Sequence, residues 1–254
     1  MARYLYTLLL VLVLISCSKK KPAYKTFNPT TDSLSIYFDM ANNEKLTVLK
    51  RKEFTQKAFS IVMNQPNDSM HRVYLLRVAN RYFNMGEPQG YENTVRILLE
   101  KSKKTNDTTY IAKAYSYLGD YFGVIGSLDS AYTYYFKAEK MFIALHDHSN
   151  LARTRLNKAN LQYDQSDFLG AEIAIFNGLR VIKKNEAKDL IFDSYNLLGL
   201  IYNDLEEYDK ALEYNKKAYL SIKENEESSL KQYRAMSLNN TGLVYLNSTN
   251  KCNF

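Results

Sequence analysis

Tryptophan is absent from the 254 residues, and the chain has only two Cys, four Pro and nine Gly. So few glycines and prolines exclude a turn-rich β-sandwich and long disordered tracts. Two cysteines exclude a disulfide scaffold and a multi-cysteine zinc site. Catalytic signatures are missing too: there is no GxGxxG, GxxxxGK[ST], GxSxG or HExxH. No apolar run approaches the ~20 residues that a membrane-spanning helix needs. What remains, 46% hydrophobic and 24% charged, describes an ordinary globular chain, one elongated domain or two small ones.

The formal charge of +7 suggests nucleic acid until it is located. Arg3, Lys19, Lys20, Lys21 and Lys25 all precede the first acidic residue, Asp32. Setting those five aside leaves 29 basic against 27 acidic residues, so the remainder is near neutral. The basic excess belongs to the N-terminal segment and not to a binding face.

That segment has its own logic. Arg3 is followed by Leu5 to Ile15, apolar except for Tyr6 and Thr7, the size of a signal-peptide hydrophobic region. Leu14-Ile15-Ser16-Cys17 then resembles the lipobox of bacterial lipoproteins. The resemblance implies residues 1–16 as a signal peptide cleaved before Cys17. It also implies a diacylglycerol thioether on the Cys17 sulfur and a further acyl chain, such as palmitate, on the new amine. Two or three acyl chains hold stably to a membrane, since each buried CH₂ contributes about 0.8 kcal/mol. Residues 17–31, with Lys19 to Lys21, Pro22 and Pro29, read as a lipidated tether. In such lipoproteins an Asp after the Cys favours inner-membrane retention; Ser18 stands here, and no acidic export pattern follows. The expected location is the bacterial cell envelope, in the outer membrane facing the periplasm.

The rest of the chain is a repeat. Ala131, Ala171 and Ala211 are 40 residues apart, as are Gly119, Ala159 and Gly199. One unit carries Tyr115, Leu118-Gly119, Phe122, Gly126, Ala131, Tyr135 and Ala138; another carries Tyr195, Leu198-Gly199, Tyr202, Tyr208, Ala211 and Ala218. The middle unit has Ala159, Phe168, Ala171, Ile175 and Gly178, with Arg155 and Lys158 where the others have an aromatic and Leu. Backward extension gives Leu75, Ala79, Tyr82, Gly86 and Tyr91; forward extension, with three extra residues, gives Leu238, Gly242 and Tyr245. Tyr115, Leu118 and Phe122 form one stripe of a helix. Gly119 costs ~1 kcal/mol there, so a neighbouring helix must come close. Ala131 and Ala138 mark one face of a second helix. Each unit is therefore an antiparallel helix pair that can bury its apolar face only by stacking.

This pattern resembles the tetratricopeptide repeat (TPR). The resemblance implies an all-α, TPR-like α-solenoid of stacked antiparallel helix pairs. Residues 32–69 would be a degenerate N-terminal pair carrying Ala58, and 70–254 the repeats, the last one incomplete. The family period is 34; a period of 40 implies longer helices or loops. Lys103–Thr109, His146–Asn150, Lys183–Lys188 and Glu224–Ser229 are the polar stretches expected to supply those loops, with Gly123–Asp129 a further turn. Leu238–Leu246 reads as a first helix lacking its second, which implies a longer relative or self-association through this end.

No catalytic, cofactor-binding or metal residue is expected. Gly119, Gly123 and Gly126 begin inside a helix, without the strand and Lys of a phosphate loop. His146-Asp147-His148 lacks a third ligand and reads as a solvated loop. Cys252 has no partner for redox work. Glu206-Glu207 and Glu226-Glu227 read as solvated turns. The chain is read as a non-enzymatic, lipid-anchored scaffold or adaptor that binds peptide or protein segments. The alternative is the truncated periplasmic sensory region of a TPR-containing signalling protein, of the histidine kinase or helix-turn-helix regulator type. TPR proteins bind along the face lined by the first helices. Repeat register puts Arg77, Asn80, Asn84, Arg153, Asn157, Asn160, Asn196, Asn203, Asn239 and Asn240 there. The unit around Gly119 offers Ser116 and Asp120 instead. An Asn amide both donates and accepts, which suits a peptide backbone, and the arginines suit a carboxylate.

Overall fold

The computed structural model describes residues 29–182, 187–222 and 228–251. The expected signal segment, Cys17 and most of the expected tether lie outside the described residues. So does Cys252.

Among the described residues there are eleven α-helices and no strand. They form five pairs and a single last helix. The pairs are α1 (Pro29–Asn42) with α2 (Val48–Met63), α3 (Ser69–Asn84) with α4 (Pro88–Lys104), and α5 (Thr108–Val124) with α6 (Leu128–Ala144). Next come α7 (His148–Asp164) with α8 (Phe168–Leu179), and α9 (Lys188–Asp204) with α10 (Tyr208–Ser221). The last helix is α11 (Ser228–Lys251). Each second helix also packs on the first helix of the next unit, and α5, α7, α9 and α11 touch in sequence. The fold is an all-α, TPR-like solenoid. Helix α1 starts at Pro29, so the last three residues of the expected tether are helical. Proline suits the start of a helix, where its missing N–H costs no bond.

The forty-residue period arises differently from the loops expected. Helices α5, α6 and α7 have 17 residues each, and only three residues separate consecutive ones. Two such helices and two such turns make the unit. The stretches Lys103–Thr109, Gly123–Asp129 and His146–Asn150 are mostly helix. Residues 183–186 and 224–227 of the other two stretches lie outside the described residues, while Lys188 and Ser228 begin helices. One local device explains every tight turn. Its middle residue adopts positive φ: Gly86 (67°), Asn106 (51°), Gly126 (76°), His146 (53°), Ser166 (59°) and Glu206 (59°). The next residue sends its N–H back five positions, as from Asp107 to Ser102 (2.9 Å), Asp147 to Phe142 (3.0 Å) and Asp167 to Gln162 (2.8 Å). That closes one helix in a left-handed cap. In Asp107, Asp147 and Asp167 the same residue opens the next helix, its carboxylate accepting from the N–H of Tyr110, Asn150 and Gly170.

Small residues set the helix spacing. Ala131, Ala171 and Ala211 are fully buried. A Cβ placed on Gly119 would come within 2.5 Å of the Tyr135 ring on α6. Gly199 meets the Asn215 amide of α10 in the same way. The helix cost of glycine is thus offset by close approach within the pair. Helix α11 is longer than Leu238–Leu246, running 24 residues as one piece.

Candidate binding cleft

A cleft of about 690 Å³ opens on the face built by the first helices. It reaches from Asn80 and Phe83 on α3, across Tyr117 and Asp120 on α5, to Arg153 and Asn157 on α7. Tyr91 of α4 and Tyr135 of α6 close its floor. The aromatic wall is continuous: Phe83 and Tyr91 centroids are 5.3 Å apart, and Tyr91 and Tyr117 6.0 Å. Val124 lies on the cleft with 65% of its surface exposed.

Asp120 is the hub. Its Oδ1 accepts from the Tyr135 hydroxyl (2.8 Å) and from Nδ2 of Asn157 (2.8 Å). The Tyr91 hydroxyl donates to Oδ2 at 3.5 Å. Three helices thereby converge on one α5 carboxylate. Burial disfavours the charged form and pushes the Asp120 carboxyl up to about 6, although these donors and Arg153 pull the other way. Burial raises the Tyr91 and Tyr135 phenols well above their ordinary range, with the Asp120 charge adding to the shift.

A second cavity of about 290 Å³ continues along α7 and α9, lined by Arg153, Asn157, Asn160, Asp193 and Asn196 among others. Arg153 Nη2 pairs with Asp189 Oδ2 at 2.9 Å on the rim. Burial, followed by the neighbouring Asp189 charge, pushes the Asp193 carboxyl up to about 6.

The ten residues read from register separate into groups. Asn80, Arg153, Asn157 and Asn160 line the main cleft, and Asn196 lines the second cavity. Much of their bonding capacity is used internally. Asn160 Nδ2 donates to the Leu156 carbonyl (3.0 Å). Asn196 Oδ1 accepts from Asn240 Nδ2 (2.8 Å), and Asn203 Oδ1 from Asn247 Nδ2 (3.1 Å). These two bonds join α9 to α11. Arg77 lies outside the cleft lining, its guanidinium 4.1 Å from the Phe38 ring centroid on α1. Asn84 and Asn239 are exposed and line neither cavity. The aromatic wall was not anticipated from sequence.

His146 occupies a left-handed turn, Asp147 caps α7 and His148 begins that helix. Among the described residues, no three His, Cys, Asp or Glu side chains gather as metal ligands. No described helix is long and apolar enough to cross a membrane.

No protein-family model matches the sequence, and no curated protein matches it. The structure is similar to the crystal structure of BtubC (BKLC) from P. vanneervenii. The TM-score is 0.58 at 16% identity, over 87% of this chain and 82% of that one. The TPR2AB domain of yeast Sti1 in complex with pHSP90 aligns over 82% of this chain and 99% of that one, with a TM-score of 0.33 at 14% identity. At such identities the likeness to BtubC speaks to the fold, a stack of helices, and to nothing beyond it.

Proposed function

We propose that this protein is a lipid-anchored adaptor of the bacterial cell envelope that holds an extended peptide segment in the first-helix cleft. The observation that carries the reading is the cleft itself. Three successive units build one continuous trough with an aromatic wall, an apolar lip at Val124 and polar groups from Asn80, Asp120, Arg153 and Asn157. An extended backbone presents alternating donors and acceptors, and those side chains offer both. The scaffold positions these groups on helices, where they can bond an extended segment, so binding is the reading. The lipid anchor rests on the Cys17 lipobox resemblance alone.

The test is selection of a displayed peptide library on the detergent-solubilised full chain. Selected peptides should bind Arg153→Ala and Val124→Lys chains at least tenfold more weakly than wild type. Leu169→Ala, at an exposed site on α8 outside the cleft, should leave binding unchanged. Arg153 pairs with Asp189 in an exposed ion pair, of the kind worth about 0–1 kcal/mol, so its removal should leave the fold intact. Selected peptides indifferent to both cleft changes would refute the proposal.

A further inference from the structure

Helix α11 occupies the position of a first helix, and among the described residues no second helix packs on its outer stripe. The register is set by small buried residues that face the preceding unit: Ala114, Thr154 and Ser194 are 40 apart, and Ser237, 43 further on, is buried in the same way. Gly242 therefore corresponds to Gly119 and Gly199, and Tyr245 to Phe122 and Tyr202. Their surroundings differ sharply. Gly119 and Gly199 each press against a side chain of their own second helix, whereas nothing lies within 4 Å of a Cβ on Gly242. Tyr202 is 6% exposed and Tyr245 58%. Leu238 and Leu246 on the same stripe are 60% and 58% exposed.

The pattern on this stripe names its occupant. Ala235, Gly242 and Thr249 are seven apart, and Leu238 and Tyr245 are seven apart, all exposed on one side of the helix. Small residues alternate with large ones along a heptad seam. Two such seams running in the same direction set small beside small, which leaves gaps. Running in opposite directions they set small against large. About a twofold axis, Tyr245 of each copy covers Gly242 of the other, and Leu238 of each meets Thr249 of the other. The first of these layers repeats the packing of Tyr135 on Gly119 inside the chain. We infer that α11 pairs antiparallel with α11 of a second copy of this chain, so that the exposed stripes cover each other in a twofold dimer.

The helix is about 36 Å long. The contact is confined to one helix per chain and falls short of a ~1,600 Å² standard interface, so the dimer dissociates on dilution. Sedimentation equilibrium of the full chain, in detergent at a solvent density that cancels the micelle, should show the protein mass doubling between about 1 and about 100 μM. Gly242→Leu should abolish the doubling while keeping a folded monomer, because the added side chain meets nothing in the chain and raises helix propensity. Tyr245→Ala should weaken self-association at least tenfold. A mixture of Gly242→Leu and Tyr245→Ala chains should regain dimer, since one layer becomes Leu against Ala and the other keeps Tyr against Gly. A chain monomeric over the whole range overturns the inference. So does a dimer indifferent to Gly242→Leu, or a mixture no better than its components.

Discussion

Asp120→Asn separates two views of the cleft floor. If the carboxylate is a charged anchor, its loss should weaken the protein at neutral pH. The geometry argues the reverse. Asp120 is partly buried, its bonding partners on neighbouring helices are neutral donors, and its carboxyl is pushed up to about 6 from the ordinary 3.8. A carboxyl raised in the folded state binds more protons there than in the unfolded chain at any pH between those values. Stability contributed by this group is therefore full below pH ~4 and falls as pH rises to ~6, flat beyond. About two pH units at 1.36 kcal/mol each set a ceiling of about 3 kcal/mol. Asparagine keeps an oxygen for Tyr135 and Asn157, and its amide can donate to the Tyr91 hydroxyl. The variant should match wild type near pH 4 and exceed it increasingly toward pH 6–7. At ~2–4 °C per kcal/mol, the melting temperature at pH 7 would rise by at most about 12 °C. Asp193 titrates in the same window, so the informative quantity is variant minus wild type, where its contribution cancels. Thermal melts of the detergent-solubilised chain from pH 4 to 7.5 measure it. A difference independent of pH, or a variant less stable at pH 7 than at pH 4 relative to wild type, refutes the reasoning.

Two glycines of α5 should behave oppositely. Gly119→Ala drives the Tyr135 ring off its seat and loosens its bond to Asp120, costing about 1–3 kcal/mol in denaturant unfolding. Gly123→Ala meets only Leu161 at 3.4 Å, so improved helix propensity should leave it neutral or up to ~1 kcal/mol more stable. Cys17→Ala should move the protein from the membrane fraction to the soluble fraction or leave an unprocessed precursor of higher mass. Unchanged fractionation and size would remove the basis for the lipid anchor.

The pairing of helices was legible because it is written in residues that cannot serve another purpose. Glycine inside a helix is unfavourable, so Gly119 and Gly199, with alanines spaced by 40, report a close contact without further information. The turns were misjudged because polarity does not distinguish a loop from the exposed face of a helix. Lys103, Lys104, His148 and Ser149 are polar since they face solvent, and they are helical all the same. A better signal was present. In Thr-Asn-Asp, Leu-His-Asp and Gln-Ser-Asp, each Asp stands three residues ahead of the N–H it caps, directly after a residue able to take positive φ. Reading Asp as a helix start fixes three turns to the residue.

The cleft was harder to read because its chemistry comes from different units. Repeat register found the asparagines, since a surface position recurs every 40 residues. It set Asp120 aside as the exception to a row of Asn, yet that exception organises the site. Its burial depends on Tyr91 from the preceding unit, Tyr135 from its own second helix and Asn157 from the next unit. No single-unit comparison reveals such a set. The same geometry changes what the asparagines offer a ligand. One N–H of Asn157 is committed to Asp120, and the amide oxygens of Asn196 and Asn203 already accept from α11. The row is thus partly a seam between first helices. A ligand would meet what these bonds leave over: the second N–H and the oxygen of Asn157, the part of the Asn80 amide not bonded to the Tyr117 hydroxyl, and Arg153 in the same cleft as the tyrosine rings.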